Sequence, residues 1–277
     1  MQKLQLKGNN ICFVGDIHGE YTSIKNTINY YKLNKCVIFF CGDIGLGFNK
    51  EQYYKDIFKK INRFCKEREI ELVFIRGNHD DPTYFTEHKI LYSNIRTVAD
   101  YTLVEVQTFD KTYNILCIGG ATSIDRNYRK GVMSTAATLF TQHHNCSLEE
   151  AYKQISKVYW EDEYPVYDEQ SLSEIIKSVN VIDIVASHTS PNYAPPTTKD
   201  NLSSWAIGDS TLIEDVRKER NVMDNIFNYI TKSNVKLKYW IYGHYHWYEQ
   251  SNYNGVKFVM LDMCRNNKLC LYPIDTI

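Results

Sequence analysis

Along the first third of this chain, short apolar runs recur, each closed by a cluster of polar residues. Asn10-Ile11-Cys12-Phe13-Val14 stops at Gly15-Asp16, Cys36 to Cys41 stops at Gly42-Asp43, and Glu71 to Ile75 runs into Arg76-Gly77-Asn78-His79-Asp80. Runs this short, bounded by glycine, predict buried strands. Between them the apolar spacing turns helical. Glu20 to Leu33 carries Ile24, Ile28, Tyr31 and Leu33, and Gln52 to Lys66 carries Ile57, Ile61 and Phe64 on one stripe. Three strand-loop units in succession predict a polar cluster at the carboxyl ends of sheet strands, which is the edge where open α/β sheets bind ligands.

Beyond Asp80 the pattern changes. Tyr101 to Val106 and Tyr113 to Ile118 read as a hairpin with no helix between, so the sheet is expected to be mixed. Gly119-Gly120 opens a polar stretch, 121 to about 170, read as a cap-like insertion on a single domain spanning residues 1–277. Helical spacing returns over Glu169 to Ser178, then a strand from Val181 to Ala186 leads to His188. An irregular stretch, 189 to 210, carries Pro191, Pro195 and Pro196. Leu212 to Thr231 predicts a long amphipathic helix, and Lys238 to Tyr242 a strand feeding Gly243-His244-Tyr245-His246. Val256 to Leu261 and Lys268 to Tyr272 predict the last strands. Asp81-Pro82 reads as a helix start.

Composition adds mainly exclusions. With 277 residues, 43% of them hydrophobic and 23% charged, the chain can bury a core without disulfides. A formal net charge of -1 gives no field favouring nucleic acid or an anionic membrane, so bulk nucleic-acid binding and membrane association are not expected. The eight cysteines form no CxxC pair and sit mostly in apolar runs, which reads as reduced thiols of a cytoplasmic protein. No signal-peptide stretch or long apolar run is found. Tyrosines such as Tyr53, Tyr54 and Tyr128 form no aromatic ladder of the kind that stacks bases.

The chemistry lies in the polar clusters. Asp16 and His18, one residue apart, would point the same way from a locally extended backbone and share a cation. Asp43 has two oxygens with which to bridge two cations about 3.5–4 Å apart. Asn78 offers a neutral carboxamide oxygen, His244 and His246 repeat the i, i+2 spacing, and His188 adds an imidazole. Two divalent ions, two carboxylates and a bridging hydroxide leave about +1, which suits a phosphate oxyanion, and a bridged water loses its proton near neutral pH. The mixed nitrogen and oxygen donors suit Mn, Fe, Zn, Ni or Co, with Mn favoured, better than Ca. His79 is left over as a general acid for the leaving alkoxide, with Asp80 as the acceptor of its other ring N–H.

These motifs, in this order, resemble the calcineurin-like metallophosphoesterase superfamily over residues 10 to 262. The resemblance implies a four-layer α/β/β/α sandwich with mixed sheets. It also implies one metal on Asp16, His18, Asp43 and His246 and another on Asp43, Asn78, His188 and His244, with His79 as acid and Asp80 its partner. The stretch from Gly119 to Arg129 with Trp160-Glu161 is similar to bacterial and phage members. Arg76 before Gly77-Asn78-His79 resembles the phosphoprotein branch. The Asp-Arg pair usual after the second motif in phosphoprotein and dinucleoside polyphosphate enzymes is replaced by Ile44-Gly45-Leu46-Gly47-Phe48-Asn49.

Arg126 and Arg129 are candidates to supply the missing phosphate clamp; equally, they could pair with Asp125 or with Glu161-Asp162-Glu163 to hold the insertion in place. His88, His143 and His144 read as surface residues. The leading expectation is a dinuclear metal-dependent phosphomonoesterase for a small or medium phosphorylated substrate. A phosphodiesterase of cyclic or short nucleotides is the alternative. A non-catalytic scaffold of the same fold is the third reading, weakened because every ligand and His79 are retained.

Overall fold

The computed structural model of the chain describes residues 2–194 and 201–274; Pro195 and Pro196 lie outside them. The first half contains strands β1 (Gln2–Lys7) and β2 (Asn10–Val14), helix α1 (Thr22–Tyr30), strand β3 (Cys36–Phe40), helix α2 (Glu51–Lys66), strand β4 (Glu71–Phe74), the single turn α3 (Thr83–Thr86), and strands β5 (Ile95–Thr97), β6 (Thr102–Gln107) and β7 (Thr112–Ile118). Helices α4 (Arg126–His144), α5 (Leu148–Gln154) and α6 (Glu169–Ser178) follow, then strand β8 (Val181–Ser187) and helices α7 (Leu202–Ala206) and α8 (Leu212–Lys232). Strands β9 (Lys236–Tyr242), β10 (Glu249–Tyr253), β11 (Val256–Met260) and β12 (Leu271–Ile274) complete the described chain.

The strands form two mixed sheets, β1-β6-β7-β8-β9-β11-β10 and β12-β2-β3-β4-β5. Burial on both faces explains why the predicted strands read as unbroken apolar runs. In β3, Cys36, Ile38 and Phe40 face helices α1 and α2, while Val37 and Phe39 face the other sheet. The inter-sheet layer joins Phe13, Phe39 and Val73 to Ile115, Ile184 and Ile241. On the far side, Trp240 and Phe258 pack against Leu172 of α6 and Phe227 of α8. The result is the expected α/β/β/α order of layers. No helix among the described residues is long and apolar enough to cross a membrane.

Several local predictions shift. The buried stripe of α2 is Tyr54, Phe58, Ile61 and Cys65, with Ile57 and Phe64 only partly covered. Tyr54 is drawn inward because its hydroxyl donates to the Gly45 carbonyl, 3.0 Å away. Tyr31 ends α1 and is half-exposed, not part of its buried face. The last strand is β12, pairing antiparallel with β2, and it begins after Lys268. Edge strands β1 and β10 escape an apolar-run search because β10 is wholly polar up to Tyr253 and β1 offers only Leu4 and Leu6. The β10–β11 hairpin does have a sequence signal, Asn254-Gly255. Both residues have positive φ, 49° and 77°, as a two-residue primed turn demands.

The 121–170 stretch is more ordered than a polar excursion. Helices α4 and α5 form an arm, joined through Asn145 in the left-handed conformation and a capping box between Ser147 and Glu150. The chain then returns along the sheet edge, where Arg76 secures it by donating to the carbonyls of Asp162, Glu163 and Tyr164 while pairing with Asp100 at 2.8 Å. Arg76 is thus buried and engaged with these carbonyls and with Asp100. Asp81 accepts from Thr83 at the start of α3, as a helix start there predicts.

Candidate metal centre

Each candidate metal ligand, with His79, stands just past the carboxyl end of a strand: Asp16 and His18 after β2, Asp43 after β3, Asn78 and His79 after β4, His188 after β8, and His244 and His246 after β9. The first three strands belong to one sheet and the last two to the other. The site therefore exists only because the inter-sheet core holds the two carboxyl edges together.

The local backbone is not the extended one expected from the i, i+2 spacing. His18, Asp43, His244 and His246 all have positive φ, between 45° and 73°. Such conformations cost about 1–3 kcal/mol each and persist where the surroundings enforce them, typically at functional sites. The consequence is that His244 and His246 diverge. His246 joins Asp16, His18 and Asp43, whose donor atoms all lie within 4.8 Å of one another. The His244 ring packs against His188, with centroids 5.0 Å apart. Glycines make this crowding possible. A Cβ on Gly243 would stand 2.2 Å from Asp16 Oδ1, and one on Gly42, at φ +95°, would stand 2.1 Å from His188 Nδ1.

Two groups of electron pairs converge here. In the first, His18 Nε2 and His246 Nε2 face each other at 3.0 Å. Asp16 Oδ2 is sealed from solvent without a well-aligned hydrogen bond, although His246 Nε2 is 3.0 Å away. In the second, His188 Nδ1–H donates to the Cys41 carbonyl at 2.7 Å, which turns Nε2 toward Asn78 Oδ1 at 2.8 Å and Asp43 Oδ1 at 3.2 Å. Burial lowers the His188 pKa, but Asp43 beside it outweighs this and raises it to about 9. Burial by itself would raise Asp16 and Asp43, and the surrounding imidazoles reverse this, holding both below the usual carboxylate range. Nitrogen and oxygen donors in this density fit divalent transition cations.

Asn78 is oriented by residues outside the predicted ligand set. Its Nδ2 donates to Ser123 Oγ at 2.8 Å, and Ser123 Oγ donates in turn to Glu163 Oε2 at 2.6 Å. The amide oxygen is thereby left facing His188. Glu163, read from sequence as part of an acidic patch, is fully buried, and burial pushes its carboxyl up to about 8. Ser123→Ala is expected to free the amide to rotate and to lower affinity for the ion at Asn78 by about 10–100-fold, with activity recovering at excess metal. Calorimetric metal titration of the variant checks this, and unchanged affinity would show that the chain of hydrogen bonds does not orient the ligand.

Asp80 does not serve His79. Both of its oxygens are taken by backbone N–H groups of Ile44, Gly45, Leu46 and Gly77, at 2.8 to 3.1 Å. It shapes the loop after β3 that would otherwise bury orphan donors. His79 instead donates its backbone N–H to Asp43 Oδ1 at 2.8 Å, and its ring meets Arg129, whose Nη2 is 2.5 Å from Nε2. Burial, with Arg129 beside it, lowers the His79 pKa to about 4 against the pull of Asp43.

The two candidate clamp arginines separate. Arg126 is buried in a pair with Asp209 at 2.6 Å and Asp215 at 2.8 Å, neither of them the partners expected from sequence. Arg129 pairs with Asp125 at 2.8 Å, as one of the two readings had it, yet also reaches His79. His88, His143 and His144 are exposed.

A cavity of about 720 Å³ opens beside the centre, with Asp43, Asn78, His244 and His246 at its base. Of the 121–170 stretch only residues 122–125 line it, and the remaining wall comes from 202–220 and 244–247. Sequence reasoning missed this wall, because Glu219 and Arg220 look like the solvent side of α8 but are buried.

Residues 10–248 match the calcineurin-like phosphoesterase family. The chain belongs to that family. As a member it is a phosphoric ester hydrolase. No curated relative matches its sequence. Among solved structures it is similar to the phosphopantetheinyl hydrolase of Mycobacterium tuberculosis, at 11% identity and a TM-score of 0.42 over 98% of each chain. It is also similar to a dimetal phosphatase from Danio rerio, at 11% identity and 0.45, over 92% of this chain and 87% of that one.

Proposed function

We propose that this phosphoesterase is a dinuclear metal-dependent phosphomonoesterase for small phosphorylated substrates. The observation that carries the reading is the placing of one carboxylate between two donor groups. Asp43 Oδ2 lies 3.8 Å from His18 Nδ1, while Oδ1 lies 3.2 Å from His188 Nε2. Asp16, His18, Asp43 and His246 would hold one divalent cation, and Asp43, Asn78, His188 and His244 the other, with manganese favoured among Mn, Fe, Zn, Ni and Co. Bound there, the cations would supply Lewis-acid polarisation of the phosphoryl group and an activated water.

The chain's own residues supply the rest. His79 borders both the large cavity and a smaller one of about 310 Å³ on the side of His18 and Tyr53. We assign it as the general acid for the leaving oxygen, a role that requires Arg129 to leave its ring for the substrate phosphate, since burial and that guanidinium otherwise hold it neutral. Arg129 holds an N–H against the nitrogen that would carry the proton, and a phosphate oxygen offers that guanidinium a charge-assisted partner that a neutral ring does not. Arg129, and not Arg126, is therefore the candidate phosphate contact.

The test is a screen of metal-loaded protein against alkyl and aryl phosphomonoesters, bis-p-nitrophenyl phosphate and cyclic nucleotides. Hydrolysis of diesters alone would transfer the assignment to the phosphodiesterase alternative. His79→Ala is expected to keep its metals and to lose about 10²–10⁴-fold in rate on alkyl phosphates, much less on aryl phosphates whose alcohols leave unaided. Equal losses on both would remove the general-acid role.

A further inference from the structure

The cavity beside the metal centre is built to hold more than a phosphate. Its walls beyond the ligands include Ile124, Leu202, Trp205, Val216, Tyr245 and Trp247. Trp205 and Trp247 are 39% and 53% exposed, unusual for so large an apolar surface, whereas Trp160 and Trp240 are buried. They come from two separate segments, α7 and the loop after β9, and meet at the same cavity. The charged wall residues are already engaged. Arg220 lies over the Tyr245 ring at 5.0 Å, Glu219 accepts from Thr122 and Thr189, and Asp125 is paired to Arg129. No surplus positive charge lines the space where the alcohol of the ester would sit. A polyanionic or strongly acidic leaving group has nothing to meet it there.

Resting on the phosphohydrolase reading of the same site, we propose that the alcohol portion of the substrate is a nucleoside, its base lying against Trp205 and Trp247. A flat, uncharged ring suits two aromatic walls, since stacking is sequence-tolerant and needs no charge. A nucleobase also presents edge donors and acceptors, for which the part-exposed carboxylate of Asp125 stands at the wall, whereas a simple aryl ring presents none. The volume of about 720 Å³ lies within the range that takes a ligand of this size.

Two measurements test this. Adenosine 5′-monophosphate and ribose 5-phosphate are both esters of a primary alcohol and differ by the base, so the ratio of their kcat/KM values reads base recognition apart from the chemistry. That ratio is expected to be about tenfold or more, and to fall toward one in Trp205→Leu/Trp247→Leu while Trp205→Phe/Trp247→Phe retains most of it. Adenosine is also expected to quench the intrinsic fluorescence of the wild-type protein saturably, and not that of the Leu double variant. A ratio near one in the wild type, or a ratio indifferent to both double variants, overturns the proposal. If neither monoester is hydrolysed, it is the monoesterase reading that fails, and the adenosine titration alone then decides: saturable quenching lost in the Leu double variant upholds the nucleoside pocket, and its absence overturns it.

Discussion

Asp43→Asn is expected to abolish tight binding of both cations and to lower kcat/KM by about 10³-fold or more. The substitution is nearly isosteric, so the fold should survive it. What changes is charge and donor capacity. A carboxamide offers one oxygen and turns an NH₂ toward the other side, where Asp43 faces either the His18 or the His188 donor group. It also removes the negative charge that faces the imidazoles of His18, His79 and His188. Lewis-acid stabilisation is worth several kcal/mol, and each 1.36 kcal/mol is tenfold in rate. Metal analysis after dialysis, paired with a circular dichroism melt, checks the claim. Two tightly held ions in the folded variant would mean that Asp43 is not the bridge.

Arg126→Ala is expected to act on stability and hardly at all on the chemistry directly. The guanidinium is buried and fork-paired to Asp209, with further bonds to Asp215, Thr211 and the Tyr164 hydroxyl. Removing it leaves Asp209 uncompensated in the interior, which costs about 3–5 kcal/mol. For a chain of this length the melting midpoint should drop by about 10 °C. Lysine should not restore it, because a point charge cannot reproduce the fork. Arg129→Ala, by contrast, removes a part-exposed i, i+4 pair with Asp125 and bonds to Val158 and His79, and should leave the midpoint within a few degrees while raising KM. A raised KM for Arg126→Ala at full stability would reverse these two assignments.

Sequence alone determined the strands that feed the candidate site and the polar residues that gather there. Those signals are local: an apolar run must end where its backbone leaves the sheet, and glycine, Asp, Asn and His at that point are chemistry a core does not need. It also determined the layer order, through the family resemblance, and the mixed sheets, through the missing helix between β6 and β7. Edge strands were less legible because an edge buries little, so β10 reads as loop except for its Asn-Gly turn.

Tertiary structure decided what each polar side chain faces. Asp80 and His79 are neighbours in sequence, yet one carboxylate binds the loop after β3 and the other ring meets an arginine from α4. Arg126 and Arg129 lie within one helical turn but point to α8 and to the metal edge respectively. Ser123 and Glu163 orient Asn78 from 45 and 85 residues away in the chain. The pocket wall of Trp205, Arg220 and Trp247 has no local signature at all, since a half-exposed tryptophan and a buried guanidinium look alike in a sequence window. Donor identity and strand ends are written in neighbouring residues, whereas hydrogen-bond partners and cavity walls depend on which distant segments the two stacked sheets bring to one edge.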